Sequence, residues 1–263
     1  MNEVSSSTSA SGNLSAPVSS FSAAKLLQVW ERGQRQLHVE KALTLLAAGH
    51  PENEPNMLAA LSIGQRDAGL ISLREQLFGA QLSSLTDCPA CGERLELNFN
   101  VNDIRASASP AEAAISFSEA DYELQLRLPN SRDLLLVTEC GSREEMRARL
   151  FEQCVVQLAY HGQVESAKRC EEIPAEIIEL AIGRLGDADP QADVEIALTC
   201  PECGHAWQTN FDIVSYLWSE LHAWAMQLLR EVHLLASAYG WRESDIINMT
   251  AQRRQSYLEL LTG

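Results

Sequence analysis

The chain has 263 residues, a formal net charge of -16 at pH 7 and a hydrophobic content of 46%. This content is enough to bury one large core or two modest ones, and because only 6% of the residues are aromatic, the core is predicted to be mostly aliphatic. Nucleic acids and anionic membranes are bound by neutralising phosphate with Lys and Arg, so 36 acidic against 20 basic groups argue against both partners. No apolar run approaches the roughly 20 residues of a spanning helix.

The N-terminal residues 1–21 are rich in serine and lack both the basic and the apolar segment of a secretory signal, so we expect a disordered tail.

The number and spacing of the cysteines indicate the redox compartment in which the protein folds. Seven cysteines are an odd number, and four of them form two C-x-x-C pairs. This pattern favours a reducing cytoplasm over a disulfide scaffold.

Residues 22–82 are predicted to form a helical region. The first helix begins after a candidate N-cap at Ser22, the second ends at Gly49 and the third ends at Gly79. Their apolar stripes consist of Leu26, Leu27 and Trp30, of Val39, Leu43 and Leu46, and of Leu70, Leu73 and Leu77.

The middle of the chain alternates between strand and helix patterns. Apolar and polar residues alternate over residues 95–99, 122–128 and 193–198, which predicts three half-buried strands. A helix is predicted from Ser142 to Ala159, with Met146, Leu150, Cys154 and Leu158 on one side, and another from Pro174.

The C-terminal segment has the strongest periodic signal. Apolar residues recur at spacings of three and four from Val214 to Tyr239, which predicts a helix of about 27 residues closed by Gly240. A shorter helix with Tyr257, Leu258 and Leu261 follows. The stripe suits a buried core, and a helix of this length also suits docking on a partner.

The most informative feature is an internal repeat. Residues 88–101 read CPACGERLELNFNV, and residues 200–213 read CPECGHAWQTNFDI. The two segments share C-P-x-C-G, then Asn-Phe at identical offsets, then Asn or Asp, then Val or Ile. Each is preceded by Leu-Thr within a few positions. Chance does not readily produce this match twice.

The paired cysteines predict one structural zinc ion per chain. Zinc prefers four ligands in a tetrahedron, and two cysteines separated by two residues reach one metal from a single tight turn. Because a strand follows each turn, we expect two hairpin tips that face each other as a zinc ribbon. The predicted ligands are Cys88, Cys91, Cys200 and Cys203.

Other interpretations of the cysteines are weaker. A redox C-x-x-C opens a helix, whereas Gly and an alternating strand follow each pair here. A catalytic zinc keeps an open position, whereas four thiolates close the coordination sphere. His205 is too close in sequence to Cys203 to bind the same ion, and we expect a turn or surface residue. Cys140, Cys154 and Cys170 lack ligand spacing.

Together these elements predict an α+β fold in which N- and C-terminal helical arms flank a four-cysteine zinc ribbon. The expected divisions after the tail are a helical region (22–82), a first knuckle hairpin (83–101), an α/β insertion (102–192), a second knuckle hairpin (193–212) and a helical region (213–263). No phosphate loop, nucleophile elbow or zinc-protease motif is present, so nothing in the sequence supports an enzyme.

Several segments resemble a family of phage-type baseplate proteins related to the baseplate hub assembly protein of T-even-type phages and encoded with contractile injection systems. The resemblance covers nearly everything from Ser22 onward. It is carried by LLQVWERGQRQLHVEKALTLLAA (26–48), both knuckles, LRLPNSRDLL (126–135), the long helix with its YGW end, and RRQSYLELL (253–261).

The resemblance implies a non-enzymatic baseplate subunit or assembly factor. Its partners would be baseplate, hub or spike proteins, and it would assemble in the cytoplasm with or without retention in the finished particle. The alternative function is that of a nucleic-acid-binding zinc ribbon. The net charge and the lack of basic residues beside the knuckles, where Arg94 alone lies near the first, disfavour that alternative.

Overall fold

The computed structural model describes residues 21–106, 114–164 and 173–262, so residues 1–20 of the predicted tail and Cys170 lie outside the described residues. The described chain divides into two compact units. The insertion unit consists of Asn53–Arg66 and, with its gaps, Ala106–Asp193, and the knuckle unit consists of residues 21–52, Asp67–Arg105 and residues 194–262.

The helices are α1 (Ala23–Gly33), α2 (His38–Gly49), α3 (Pro55–Ala60), α4 (Ile63–Phe78), α5 (Ser131–Leu136), α6 (Arg143–Cys154), α7 (Ala175–Ala188), α8 (Ile213–Tyr239), α9 (Glu243–Ile247) and α10 (Ala251–Thr262). The strands are β1 (Gln81–Asp87), β2 (Arg94–Asn100), β3 (Ile115–Glu119), β4 (Tyr122–Leu126), β5 (Val155–Tyr160), β6 (Gln163–Val164), β7 (Glu195–Thr199) and β8 (Ala206–Asn210). Within the described residues, short 3₁₀ turns lie at Val101–Asp103 and Pro190–Ala192.

The knuckle unit is organised around α8. The helix has the predicted 27 residues and ends at Gly240, whose φ of 68° is the left-handed conformation of a helix C-cap. Helices α1, α2, α9 and α10 pack against it. Its buried stripe consists of Ile213, Val214, Leu217, Leu221, Ala225, Leu228, Val232 and Leu235. The prediction of a core-facing amphipathic helix is therefore confirmed, as is the Ser22 cap of α1.

Two hairpins complete the knuckle unit. Strand β1 pairs with β2, and β7 pairs with β8, both antiparallel and each as a separate two-stranded sheet. The hairpins have the same register relative to their cysteines: Asp87 lies opposite Arg94, and Thr199 lies opposite Ala206. The alternating segments predicted around residues 95–99 and 193–198 are therefore strands.

The insertion unit contains a four-stranded antiparallel sheet in the order β3-β4-β5-β6. One face of the sheet is apolar and packs with α6 and α7 into a separate core. The core consists of Ile115, Phe117, Leu124, Leu126, Phe151, Cys154, Val155, Leu158, Ile173, Ile177, Ala181 and Leu185. The chain thus combines helices with small antiparallel sheets, which confirms the mixed fold class.

The segment LRLPNSRDLL is the link between β4 and α5. Asn130 caps α5 by accepting hydrogen bonds from the N–H groups of Arg132 and Asp133. Asp133 is 3% exposed, and its two carboxylate oxygens accept hydrogen bonds of 2.6 and 2.7 Å from Arg127. A buried carboxylate is costly unless it is paired, so this motif requires its arginine and its aspartate together.

The predicted helix from Ser142 to Ala159 is wrong in its second part. Helix α6 ends at Cys154, and residues 155–160 form β5, which pairs with β4. Met146 is 37% exposed, whereas Phe151 and Cys154 are buried. Two consecutive valines favour a strand, and pairing with β4 supplies the hydrogen bonds that a longer helix would have made. Strand β3 and helix α3 were not predicted.

Candidate metal centre

Each C-P-x-C-G motif forms the same turn at the tip of its hairpin. In the first, the N–H of Cys88 donates to the carbonyl of Glu93 at 2.8 Å, and the N–H of Gly92 donates to the carbonyl of Cys88 at 2.9 Å. In the second, Cys200 donates to His205 at 2.9 Å, and Gly204 donates to Cys200 at 3.0 Å.

Glycine is required at the end of both turns. The φ angles of Gly92 and Gly204 are 77° and 71°, in the left-handed region that other residues adopt only with strain. An added Cβ would meet nothing within 4 Å at either position, so the requirement is conformational and not steric.

The two turns bring the four predicted ligands together. The Sγ atoms of Cys88 and Cys203 are 3.7 Å apart, those of Cys91 and Cys200 are 3.6 Å apart, and all four lie within 4.8 Å of one another. A tetrahedron of sulfurs at about 2.3 Å from a zinc ion has edges of about 3.8 Å. Disulfides would need separations of about 2.05 Å. The spacing therefore fits a metal centre and excludes disulfides in this arrangement.

The four sulfurs do not all ionise unless a cation compensates their charge. Burial raises the pKa of the Cys88 thiol, but hydrogen bonds from the N–H groups of Cys91 and Ala90 outweigh this effect and lower the pKa to about 7. The N–H of Glu93 lowers the pKa of Cys91, whereas the neighbouring sulfurs raise it to about 12. Four sulfurs at this spacing ionise together only when a positive charge lies among them.

The two repeats also contact each other behind the cysteines. Phe99 and Phe211 occupy the same position in their repeats, and their rings meet edge-to-face with centroids 5.6 Å apart. One residue further on, Asn100 and Asp212 both act as N-caps. Asn100 caps the 3₁₀ turn Val101–Asp103, and Asp212 caps α8. The shared Asn-Phe-Asn/Asp pattern is therefore a packing contact followed by a cap.

Helix α8 makes contacts with the first hairpin and with α4 that nothing in the sequence pattern indicated. The hydroxyl of Tyr216 on α8 accepts a hydrogen bond from the N–H of Ser83 at 2.9 Å and donates one to its carbonyl at 3.0 Å. Arg74 on α4 makes two hydrogen bonds to the carboxylate of Glu220. These residues are far apart in sequence, so only the fold brings them together.

The remaining candidate residues lie outside the cluster. His205 is exposed and its ring stacks on that of Trp207, in agreement with a surface position. Cys140 is half-buried and Cys154 is buried in the core of the insertion unit. Within residues 21–106, 114–164 and 173–262, the four cysteines are the one group of three or more His, Cys, Asp or Glu side chains with ligand spacing.

The surface beside the knuckles is not basic. Arg94, which follows the first knuckle, is exposed and forms an ion pair of 3.3 Å with Asp87 on the opposite strand. Its charge is therefore compensated within the hairpin.

Across the described residues, no helix is both long enough and apolar enough to cross a membrane.

Comparison with known protein families gives a match over most of the chain. The family model described as T4 bacteriophage base plate protein matches residues 23–218, about three quarters of the chain. The matched range contains both C-P-x-C-G motifs and the LRLPNSRDLL segment, and it ends near the first turns of α8. No curated protein and no solved structure matches the chain.

Proposed function

Because this chain belongs to the family of T4 bacteriophage base plate proteins, we propose that it is a non-enzymatic structural or assembly protein of a contractile-tail baseplate. The family match supports a structural role in a phage baseplate, and the further proposal concerns contractile injection systems of the phage type. The partners are then baseplate, hub or spike proteins, and the assembly site is the cytoplasm.

A single structural zinc ion held by Cys88, Cys91, Cys200 and Cys203 is the second part of the proposal. The observation that carries it is the set of four sulfurs within 4.8 Å of one another. When bound, the ion would tie the two hairpins, and therefore both ends of the long segment between them, to one point. Four thiolates leave no open position for substrate or water, so the centre supports a scaffold and not a reaction.

Colour and elemental analysis would distinguish zinc from iron at this site. Tetrahedral sulfur sites hold zinc or iron, and zinc is colourless whereas an iron–thiolate centre absorbs visible light. Elemental analysis of protein purified without chelator is expected to give one zinc per chain. A value near zero would contradict the metal centre, and a value of two per chain would mean that each knuckle completes its site with another molecule.

The nucleic-acid-binding zinc ribbon is the second candidate, since ribbons of this kind often contact DNA or RNA. The net charge of -16 and the compensated Arg94 argue against it. A gel shift at low salt distinguishes the two functions, because electrostatic binding to phosphates is strongest there. No shift at low salt would remove this candidate, whereas a salt-sensitive shift would favour it.

The baseplate proposal is tested by purifying tagged protein from its native cells and identifying its partners by mass spectrometry. We expect spike, hub or wedge proteins of a contractile apparatus, and their ratios separate a permanent subunit from a factor that leaves. Cells that carry the tag on an unrelated acidic protein are the control. Recovery of a metabolic complex or of nucleic acid would contradict the proposal.

A further inference from the structure

The edge of the sheet in the insertion unit carries hydrogen-bonding groups that no described residue uses. The carbonyl of Asp121 accepts a hydrogen bond from the N–H of His161, and the N–H of Arg127 donates to the carbonyl of Cys154. The odd-numbered residues that flank β4, Asp121 and Arg127, therefore direct backbone groups toward β5. Because the backbone N–H and C=O groups of successive residues point to opposite sides of a strand, the even-numbered residues of β4 bond to β3.

This alternation determines which groups of β3 point outward. Ile115, Phe117 and Glu119 lie opposite the even-numbered residues of β4 and make the hydrogen bonds of that ladder. The N–H and C=O groups of Ser116 and Ser118 therefore point away from the sheet. Among the described residues none hydrogen-bonds to them, and both serines are exposed. They form a row of two donors and two acceptors along an open edge.

The two edges of this sheet differ in how well they are protected against pairing with another strand. Strand β6 at the other edge has only two residues, and the register of β5 shifts near Val156, which breaks its regular ladder. Short strands and bulges are common means of preventing unwanted pairing. Strand β3 has five residues and reads ISFSE, with no proline, no lysine and no register shift against β4. It is the edge that is suited to accept another strand.

The charge around this edge indicates the kind of strand that fits. Glu119 follows the two serines, and Glu123 lies opposite Ser118 on β4. Both are exposed, and neither forms an ion pair with a residue of the described ranges. Asp121 in the intervening turn adds a third carboxylate, 3.4 Å from His161. Lys or Arg side chains on an added strand would therefore meet uncompensated negative charge.

We propose that β3 is a docking edge for an extended, basic segment of another protein, which adds to the sheet as a fifth strand. Backbone hydrogen bonds to Ser116 and Ser118 hold the segment, and Glu119 and Glu123 select its basic side chains. A second copy of this chain is a poor occupant, because it would bring its own Glu119 to the same edge and each copy carries a net charge of -16. The partner's identity as a baseplate component rests on the proposed function.

The test is a proline substitution that acts on the edge alone. Ser118→Pro removes an outward N–H and places a ring against the incoming strand, whereas the hydrogen bonds between β3 and β4 come from the neighbouring residues. Proline is tolerated on edge strands, and it restricts the preceding Phe117 to the extended conformation that it already has. Ser118→Thr is the matched control, because it keeps the N–H and favours a strand.

Both variants and the wild type are used for the tagged purification, and their melting temperatures verify folding. We expect Ser118→Pro to reduce the recovery of one basic partner at least tenfold while other components are retained, and we expect Ser118→Thr to behave as the wild type. In the wild-type complex, the amides of Ser116 and Ser118 should exchange hydrogen at least tenfold more slowly than in the free chain. Sodium chloride should release that partner selectively.

Three results would overturn the inference. The first is unchanged exchange at Ser116 and Ser118 in the complex, which does not depend on the variant folding. The second is full recovery of every partner by a folded Ser118→Pro protein. The third is protection that appears in the free chain as its concentration rises, with a dimer in sedimentation, which would identify a second copy as the occupant. If the purified partners do not belong to a contractile apparatus, the proposed function fails, while exchange at the edge still decides the docking mode.

Discussion

The two knuckle hairpins have the same turn but different continuations. Both place a cysteine pair at the tip, a phenylalanine near the end of the second strand and an Asn or Asp cap one residue later. After Asn100 the chain makes a single 3₁₀ turn, whereas after Asp212 it makes a helix of 27 residues. The repeat therefore determines the hairpin and the capping residue. The apolar pattern of the residues after the cap determines whether a long helix follows.

Removing one ligand is expected to have the largest effect on both hairpins. Because each buried cysteine occupies the same place, Cys88→Ser and Cys200→Ser should lose the metal equally. The melting temperature should fall by roughly 10 °C or more, since a structural zinc contributes several kcal/mol and each kcal/mol corresponds to about 2–4 °C in a chain of this size.

Elemental analysis and thermal melting test this prediction. Cys140→Ser is the matched control, because Cys140 is half-buried and outside the cluster, and it should retain one metal per chain. Loss of metal from the Cys200 variant alone would show that the hairpins are not equivalent ligand pairs.

The caps should show the largest difference between the two hairpins. Asp212→Ala removes the cap of α8, and we expect it to lower the free energy of unfolding by about 1–2 kcal/mol. Asn100→Ala removes the cap of a three-residue turn and should cost about 0.5 kcal/mol. Urea unfolding of both variants measures the difference, and equal losses would contradict the role of the downstream helix.

The charge of Asp212 adds a pH dependence to this comparison. Burial raises the pKa of Asp212, but hydrogen bonds from His38 and Ser215 outweigh that effect and hold the pKa well below its usual range. A carboxyl whose pKa is lower in the folded than in the unfolded state stabilises the fold above the unfolded pKa of about 3.9. This contribution is lost as the pH falls below that value.

The Asp212→Asn variant isolates that contribution, because asparagine keeps the cap and removes the charge. The difference in unfolding free energy between the wild type and this variant should shrink from pH 5 to pH 2. A difference that stays constant over this range would mean that the carboxylate of Asp212 is not stabilised by its neighbours.

Substituting the two knuckle glycines should lower the stability of the protein by the same amount in both hairpins. Gly92→Ala and Gly204→Ala both place a Cβ at positive φ, and each should cost about 1–2 kcal/mol. Gly183→Ala in α7 is a suitable control, because its Cβ also meets nothing within 4 Å but the backbone is helical, so a gain of up to about 1 kcal/mol is expected. A neutral effect at either knuckle would show that its turn relaxes without strain.

The smallest expected effect is the coupling between the hairpins behind the cysteine cluster. A double-mutant cycle of Phe99→Leu and Phe211→Leu should give a coupling of about 0.5–1.5 kcal/mol, since the rings meet edge-to-face. Strict additivity would indicate that the two rings do not stabilise the contact between the repeats.

Prediction from the sequence succeeded for features that depend only on residues within one short segment. The Ser22 cap, the end of the long helix at Gly240 and the knuckle turns depend on residues within a few positions of one another, so they were predicted near their observed places. The predicted helix over residues 155–159 was wrong because these residues also fit a helical spacing, and β4 competes for their backbone. The edge strand β3 was missed because only five residues carry its alternation.

The amino-acid sequence by itself determined the repeat, the two turns and the identity of the four clustered cysteines, because C-P-x-C-G and its strand act over a dozen residues. Tertiary structure alone decided that the two turns meet, which places the Sγ atom of Cys88 3.7 Å from that of Cys203 and the Sγ atom of Cys91 3.6 Å from that of Cys200 across more than a hundred residues. It also decided that Tyr216 bonds to Ser83 and that no residue of the described ranges hydrogen-bonds to the outward groups of β3. These relations depend on how separate segments pack, and no local pattern encodes them.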